Sequence, residues 1–218
     1  MSHDASITVV VGMRGSGKST LAVSEVKKVN HPVIVIDPTG NWAKDLGVEP
    51  TTSLRAVAGK IDQYWRSNFK IVFVPHKDQS PTAMLHHLAN LIVEAQAGYK
   101  AEAHTRQIEI VVEEANLFYP SKGLTNQEQG FTFAILQGRH WGINITAITQ
   151  RPQLVSTNLR GNANVTYCLA LADDRAISSV LEQCGAKHKA TLQDLPLFSY
   201  MRIARREVST HKVPKPRK

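Results

Sequence analysis

A chain of 218 residues with 42% apolar and 20% charged residues is long enough to bury one domain's core and too apolar to stay disordered. Its apolar runs, such as Ile7 to Val11 and Val165 to Ala172, fall far short of the roughly 20 residues a membrane helix needs, and the polar opening Ser2-His3-Asp4 lacks a signal-peptide pattern. The net charge of +8 is concentrated near one end, where Arg202 to Lys218 holds seven basic residues and one acidic residue, Glu207; that stretch is either a solvated tail or an arm that contacts phosphates.

Ile7 to Val11 is a β-branched run with apolar residues on both faces, the pattern of a central parallel strand. A Gly-rich turn follows, and Ser19 to Val29 reads as a helix. Val33 to Ile36 is a second buried strand, closed by the turn Asp37-Pro38-Thr39-Gly40. Thr51 to Ile61 reads as a helix capped by Thr52 or Ser53, and Phe69 to Val74 as a strand stopped by Pro75. Pro81 to Gly98 carries Leu85, Leu88, Leu91, Ile92 and Ala95 at helical period behind its initial Pro. Ile108 to Val112 is the next strand and runs into Glu113-Glu114-Ala115-Asn116.

Asn126 to Gly138 reads as a helix, Ile143 to Thr149 as a strand ending at Gln150, and Leu154 to Arg160 as a short helix. Val165 to Leu171 is a strand, Asp173 to Cys184 a helix capped by its Asp, Lys189 to Leu195 a brief helix, and Phe198 to Arg205 a last strand. Strands alternating with helices predict an α/β fold with a parallel sheet covered on both faces. The expected organisation is one domain over residues 1–206, followed by a basic, flexible tail over 207–218. Two cysteines, Cys168 and Cys184, make neither a disulfide framework nor a zinc spacing, so a reducing, cytoplasmic setting is expected.

Gly12-Met13-Arg14-Gly15-Ser16-Gly17-Lys18-Ser19 is a complete phosphate-loop pattern, and it lies between a predicted strand and a predicted helix, the context such a loop requires. Glycine lets backbone amides converge on phosphate oxygens, and the helix N-terminus adds partial positive charge. Lys18 is expected to reach the β- and γ-phosphates and Ser19 to offer its hydroxyl to Mg²⁺. Gly12, Arg14, Gly15, Ser16, Gly17, Lys18, Ser19 and Thr20 are the expected contacts of the nucleotide, with ATP and Mg²⁺ as cofactors. The alternative is a Gly-rich turn with no ligand.

Glu113 and Glu114 stand at the end of a buried strand, where carboxylates are costly unless a cation or substrate uses them. Glu113 is expected to hold the metal through water and Glu114 to activate the attacking water as general base. Successive strand residues point to opposite faces, so only one of the two need enter the site. Trp42, Trp65 and Trp141 could stack on bases, but core packing is the plainer role. His86 and His87 are adjacent on a helix and are expected to diverge, which argues against a shared metal ion.

Three segments together resemble the FtsK–HerA superfamily of ring-forming, DNA-translocating ATPases. They are the phosphate loop with Asp37-Pro38-Thr39-Gly40-Asn41-Trp42; Val111-Val112-Glu113-Glu114-Ala115-Asn116; and Gly138-Arg139-His140-Trp141-Gly142 leading through Ile145–Thr149 into Gln150-Arg151-Pro152. The resemblance spans about Ile7 to Leu171 and implies a three-layer P-loop NTPase fold of the additional-strand, catalytic-glutamate type. It implies Glu114 as the catalytic glutamate and Gln150 as a polar sensor of the γ-phosphate. Glu113 departs from the pattern, because the family usually has Asp there. Arg139 is the first candidate for an arginine finger supplied to a neighbouring subunit, ahead of Arg151 and Arg160.

A bare ATPase core of this length most resembles the genome-packaging ATPases of double-jelly-roll viruses with internal membranes. That resemblance implies a homo-oligomeric ring, pentamer or hexamer, at a capsid vertex in the host cytoplasm or virion, driving double-stranded DNA inward without reading its sequence. Two other readings stand beside it: a cellular HerA-like translocase of repair or plasmid transfer, and an ATP-dependent morphogenesis protein that never touches DNA. A small-molecule kinase fits less well, because Glu113, Glu114 and Gln150 suit water activation and no Arg-rich lid is evident.

Overall fold

The computed structural model describes residues 5–125, 128–205 and 207–214. In chain order the elements are β1 (Ile7–Val11), α1 (Lys18–Val26), β2 (Val33–Ile36), α2 (Asn41–Leu46), α3 (Leu54–Tyr64), β3 (Lys70–Phe73), α4 (Pro81–Ala95), α5 (Ala97–Lys100), β4 (Ile108–Val112) and α6 (Ala115–Phe118). Then come α7 (Gly130–Gln137), β5 (Ile143–Thr149), α8 (Thr157–Gly161), β6 (Val165–Leu169), α9 (Asp174–Cys184), α10 (Lys189–Gln193), β7 (Ser199–Ala204) and β8 (Glu207–Lys212).

The strands form a single sheet in the order β3-β2-β4-β5-β1-β6-β7-β8. The first six in sequence run parallel, and β7 and β8 are antiparallel additions at one edge. One strand, β5, separates β1 from β4, which is the additional-strand arrangement. The β-branched strands are apolar on both faces, as a sheet sandwiched between helices requires. Ile34, Ile36, Ile110 and Val112 enter a core shared with α3, α4 and α7. Val33, Val35, Val111 and Ile148 enter a second core shared with α1 and α2. Three layers result.

Local signals act where they stand in the sequence. The Ser53 hydroxyl accepts from Ala56 N–H to cap α3, and the Asp173 carboxylate accepts from Ala176 N–H to cap α9. Pro81 opens α4, where a missing N–H costs nothing. The helix expected over 126–138 is seen as α7, while Asn126 and Gln127 lie outside the described residues.

One sequence-based boundary is corrected. Residues 207–212, expected to begin a flexible tail, form β8 and pair with β7 along their whole length. The segment is polar because it is an edge strand, with Ser209, Thr210, His211 and Lys212 exposed, a common way to keep an edge from pairing further. Val213 then turns inward and joins the core around α1. Lys215, Arg217 and Lys218 of the basic stretch lie outside the described residues.

Candidate active site

Parallel strands present their C-terminal ends at one edge, and the register sets β1, β4 and β5 side by side there. Val11 lies opposite Thr149, and Val112 opposite Ala147. The phosphate loop leaves this edge pinned from both sides: Gly12 N–H donates to the Thr149 carbonyl at 3.3 Å and Met13 N–H to the Ala170 carbonyl at 2.7 Å. Gly12 is fixed by space, since a Cβ there would meet Ser16 Oγ at 2.7 Å and Leu169 Cβ at 2.8 Å. Gly17 is fixed by backbone, with φ 101° as the residue entering α1.

Lys18 is buried and arches back over the loop, its Nζ donating to the Met13 carbonyl at 2.9 Å. Burial pulls its pKa below the ordinary lysine value, and the carboxylates of Glu113 and Glu114 partly offset that. Both carboxylates thus act on the same ammonium, although strand alternation predicts that they diverge. The reason is local: Glu114 has left-handed backbone, φ 52° and ψ 52°, which breaks the alternation at the end of β4. A non-glycine residue held there stores about 1–3 kcal/mol.

Glu113 is buried, and desolvation raises its pKa to about 7. A hydrogen bond from Trp42 Nε1 to its Oε2, at 2.7 Å, favours the charged form, while the Asp37 and Glu114 carboxylates oppose it. Asp37 is fully buried at the end of β2; its Oδ1 accepts from Thr39 N–H and hydroxyl, and its Oδ2 from Trp42 N–H. Sequence reasoning gave Asp37 a turn and a place in a family-like segment, but no role in the site. Its spacing ahead of Trp42 was the available signal: Asp37 accepts from the Trp42 N–H in the first turn of α2, and that helix presents the indole to Glu113.

On the neighbouring strand end, Gln150 Nε2 donates to Glu114 Oε1 at 2.5 Å. Thr149 Oγ1 donates to Asn116 Oδ1 at 2.8 Å and accepts from Arg151 N–H at 3.0 Å, holding the Gln150 turn against α6. Ser19 is exposed and Thr20 half-buried on the first turn of α1, and Arg14 and Gly15 are exposed at the loop's outer rim. Ser16 Oγ is buried without a hydrogen-bond partner, a polar atom in a Gly-lined cradle suited to phosphate. The donor set also fits a small hard cation, since a hydroxyl (Ser19) and a carboxylate (Glu113) are oxygen donors of the kind Mg²⁺ takes beside substrate phosphates. Among the described residues no cluster of three or more His, Cys, Asp or Glu could hold a metal by itself.

The remaining candidates lie elsewhere. Arg139 is exposed in the turn between α7 and β5, its Nε bonded to His140 Nε2 at 3.2 Å. That turn opens β5, whereas Gln150 follows its other end, so the seven residues of β5 put about 20 Å of strand between Arg139 and the loop of its own chain. Arg160 is spent inside the molecule on Ser179, Glu182 and the Val155 carbonyl. Trp65 packs on His104 and Trp141 on Phe133. The rings of His86 and His87 do meet, edge to face at 5.0 Å, but His86 uses its nitrogens on Gly130 N–H and Asn90.

A phosphate loop between β1 and α1, with β5 interposed before an acidic strand end, defines the three-layer P-loop NTPase fold. Solved structures share it. The DNA-packaging ATPase B204 of Sulfolobus turreted icosahedral virus aligns over 99% of this chain and 100% of its own, with TM-score 0.74 and 15% identity. The genome packaging NTPase B204 of Sulfolobus turreted icosahedral virus 2, in complex with ATP-gammaS, aligns over 96% and 98%, with TM-score 0.74 and 16% identity. EssC (ATPases 2 and 3) from Geobacillus thermodenitrificans covers 98% of this chain and 41% of its own, with TM-score 0.62 and 12% identity. At these identities the likeness is one of fold. No protein-family profile matches the sequence, and no curated protein matches it.

Proposed function

We propose that this chain is an Mg²⁺-dependent ATPase and a subunit of a motor that drives double-stranded DNA into a viral capsid. The observation that carries hydrolysis is the Gln150–Glu114 contact at the mouth of the phosphate loop. It holds one carboxylate oxygen of Glu114 and leaves the other to take a proton from water. Lys18 and the loop amides hold and orient the phosphates, and Ser19 with Glu113 holds Mg²⁺. Mg²⁺ held there would supply positive charge against the charge that develops on the phosphates. Gln150, tied to Glu114 and joined through its turn to Thr149, is placed to relay the loss of that group into β5.

Support for the motor role comes from fold likeness over 98% and 100% of two viral packaging NTPases. Further support is the position of Arg139, which its own loop cannot use and a neighbour in a ring could. The partners in this reading are further copies of the chain, capsid vertex proteins and double-stranded DNA held through its phosphates. Among the described residues no helix is long and apolar enough to cross a membrane.

ATPase rate with and without double-stranded DNA, across a salt series, tests the proposal. A rate raised by DNA and losing that increase as salt rises is expected of phosphate-backbone contacts. A rate indifferent to DNA at every salt concentration overturns the motor reading.

A further inference from the structure

Glu114 and Gln150 lie on the β4–β5 side of the phosphate loop. On its other side the sheet continues through β6 to β7 and β8, and both added strands reach back to the loop. Phe198, just before β7, donates its N–H to the Ser16 carbonyl at 3.3 Å, and Val213, just after β8, donates its N–H to the Phe198 carbonyl at 2.8 Å. A Cβ placed on Gly17 would lie 3.1 Å from Phe198 Cδ1 and 3.4 Å from Val213 Cγ2. The ring therefore stands directly against the glycine that precedes Lys18.

Nothing in the core accounts for that ring. It is 57% exposed, and it belongs to neither hydrophobic cluster. Its backbone is left-handed, φ 59°, which a bulky residue rarely adopts. A nucleoside triphosphate has two ends, and the water-activating pair fixes which one faces β4 and β5. Its γ-phosphate points that way, so sugar and base must leave the loop toward β6, β7 and β8.

We propose that Phe198 is the platform on which the base of the bound nucleotide lies. This rests on the nucleotide-binding reading above and adds the residue that holds the other end of the ligand. Stacking uses the face of a base and not its hydrogen-bonding edge, so the platform strengthens ATP and GTP alike. It also gives the antiparallel pair β7–β8 a task at the site: the Ser16 and Val213 hydrogen bonds hold the ring at a fixed height beside the loop.

Calorimetric titration with Mg²⁺ present, using a non-hydrolysable ATP analogue, its GTP counterpart and inorganic tripolyphosphate, separates the possibilities. Phe198→Ala is expected to weaken both nucleotides by roughly 5- to 150-fold, to leave tripolyphosphate unchanged, and to be rescued by Phe198→Trp. If Phe198→Ala binds all three ligands as the parent does, the platform is wrong while nucleotide binding stands. Equal weakening of tripolyphosphate assigns Phe198 to shaping the loop and overturns the platform as well. A parent chain that binds none of the three overturns both readings. Melting curves without ligand, expected to agree for parent and variants, check that the exposed ring is not needed for folding.

Discussion

Trp42 Nε1 lies 2.7 Å from Glu113 Oε2, so the segment after β2 supplies the donor that stabilises a buried carboxylate at the end of β4. Trp42→Phe keeps the packing and removes that donor. At pH 8, where Glu113 is charged, the loss of a hydrogen bond to a charged group is expected to cost about 1.5–3 kcal/mol, read from urea unfolding. The Glu113 pKa should also climb above its present value of about 7, so the pH midpoint for Mg²⁺-dependent nucleotide binding moves upward. Unchanged stability and midpoint would remove Trp42 from the site.

Glu113 predicts a sign for pH dependence. Its pKa in the folded chain is raised from 4.5 to about 7, so between those values the folded state holds a proton that the unfolded state has released. Its contribution is fully present below about pH 4.5 and is lost as pH rises through about 7. With a chelator present, stability is expected to fall across that window by up to about 3 kcal/mol relative to Glu113→Gln. Parallel stability–pH curves for the two proteins would contradict this.

Much of this arrangement was legible in the sequence, and the exceptions share a cause. The phosphate loop, the acidic strand end and Gln150 are local patterns, and strand and helix periods placed them at one sheet edge. The left-handed turn at Glu114 was not legible, because nothing in Glu-Glu-Ala-Asn distinguishes φ 52° from continued strand. Helix α2 was missed because it has only six residues between two left-handed glycines, Gly40 and Gly47, which read as a loop. Strand β8 was missed because its face is polar and its charge resembles a tail; only pairing with β7 makes it a strand. The contact of Phe198 with Ser16 spans most of the chain, beyond the reach of any local period.

The Gln150–Glu114 bond, at 2.5 Å, makes the two side chains one unit. Glu114→Gln is expected to lower the hydrolysis rate by roughly 10²–10⁴-fold, the usual worth of a general base, with affinity for a non-hydrolysable ATP analogue nearly unchanged. Gln150→Ala leaves the carboxylate in place without its orienting partner. It should lower the rate by less, and the double variant should be no worse than Glu114→Gln alone. Additive losses in single-turnover assays would mean that the residues act independently.

Arg139 has the most demanding expectation, because its contribution depends on which subunit carries it. It is exposed at the start of β5, about 20 Å of strand from its own loop, so any role at a phosphate is played in a neighbour. Arg139→Ala is therefore expected to abolish most turnover, by roughly 10³–10⁵-fold for a finger of this kind, while each subunit still binds nucleotide. Glu114→Gln subunits are inactive for a different reason: they lack the base but keep the arginine. Mixing the two variants places an intact Arg139 beside an intact Glu114 at some interfaces, so activity should reappear and peak near equal proportions. Normal hydrolysis by Arg139→Ala alone would return Arg139 to an ordinary surface residue, and two inactive variants that regain no activity when mixed would rule out a finger acting in a neighbour.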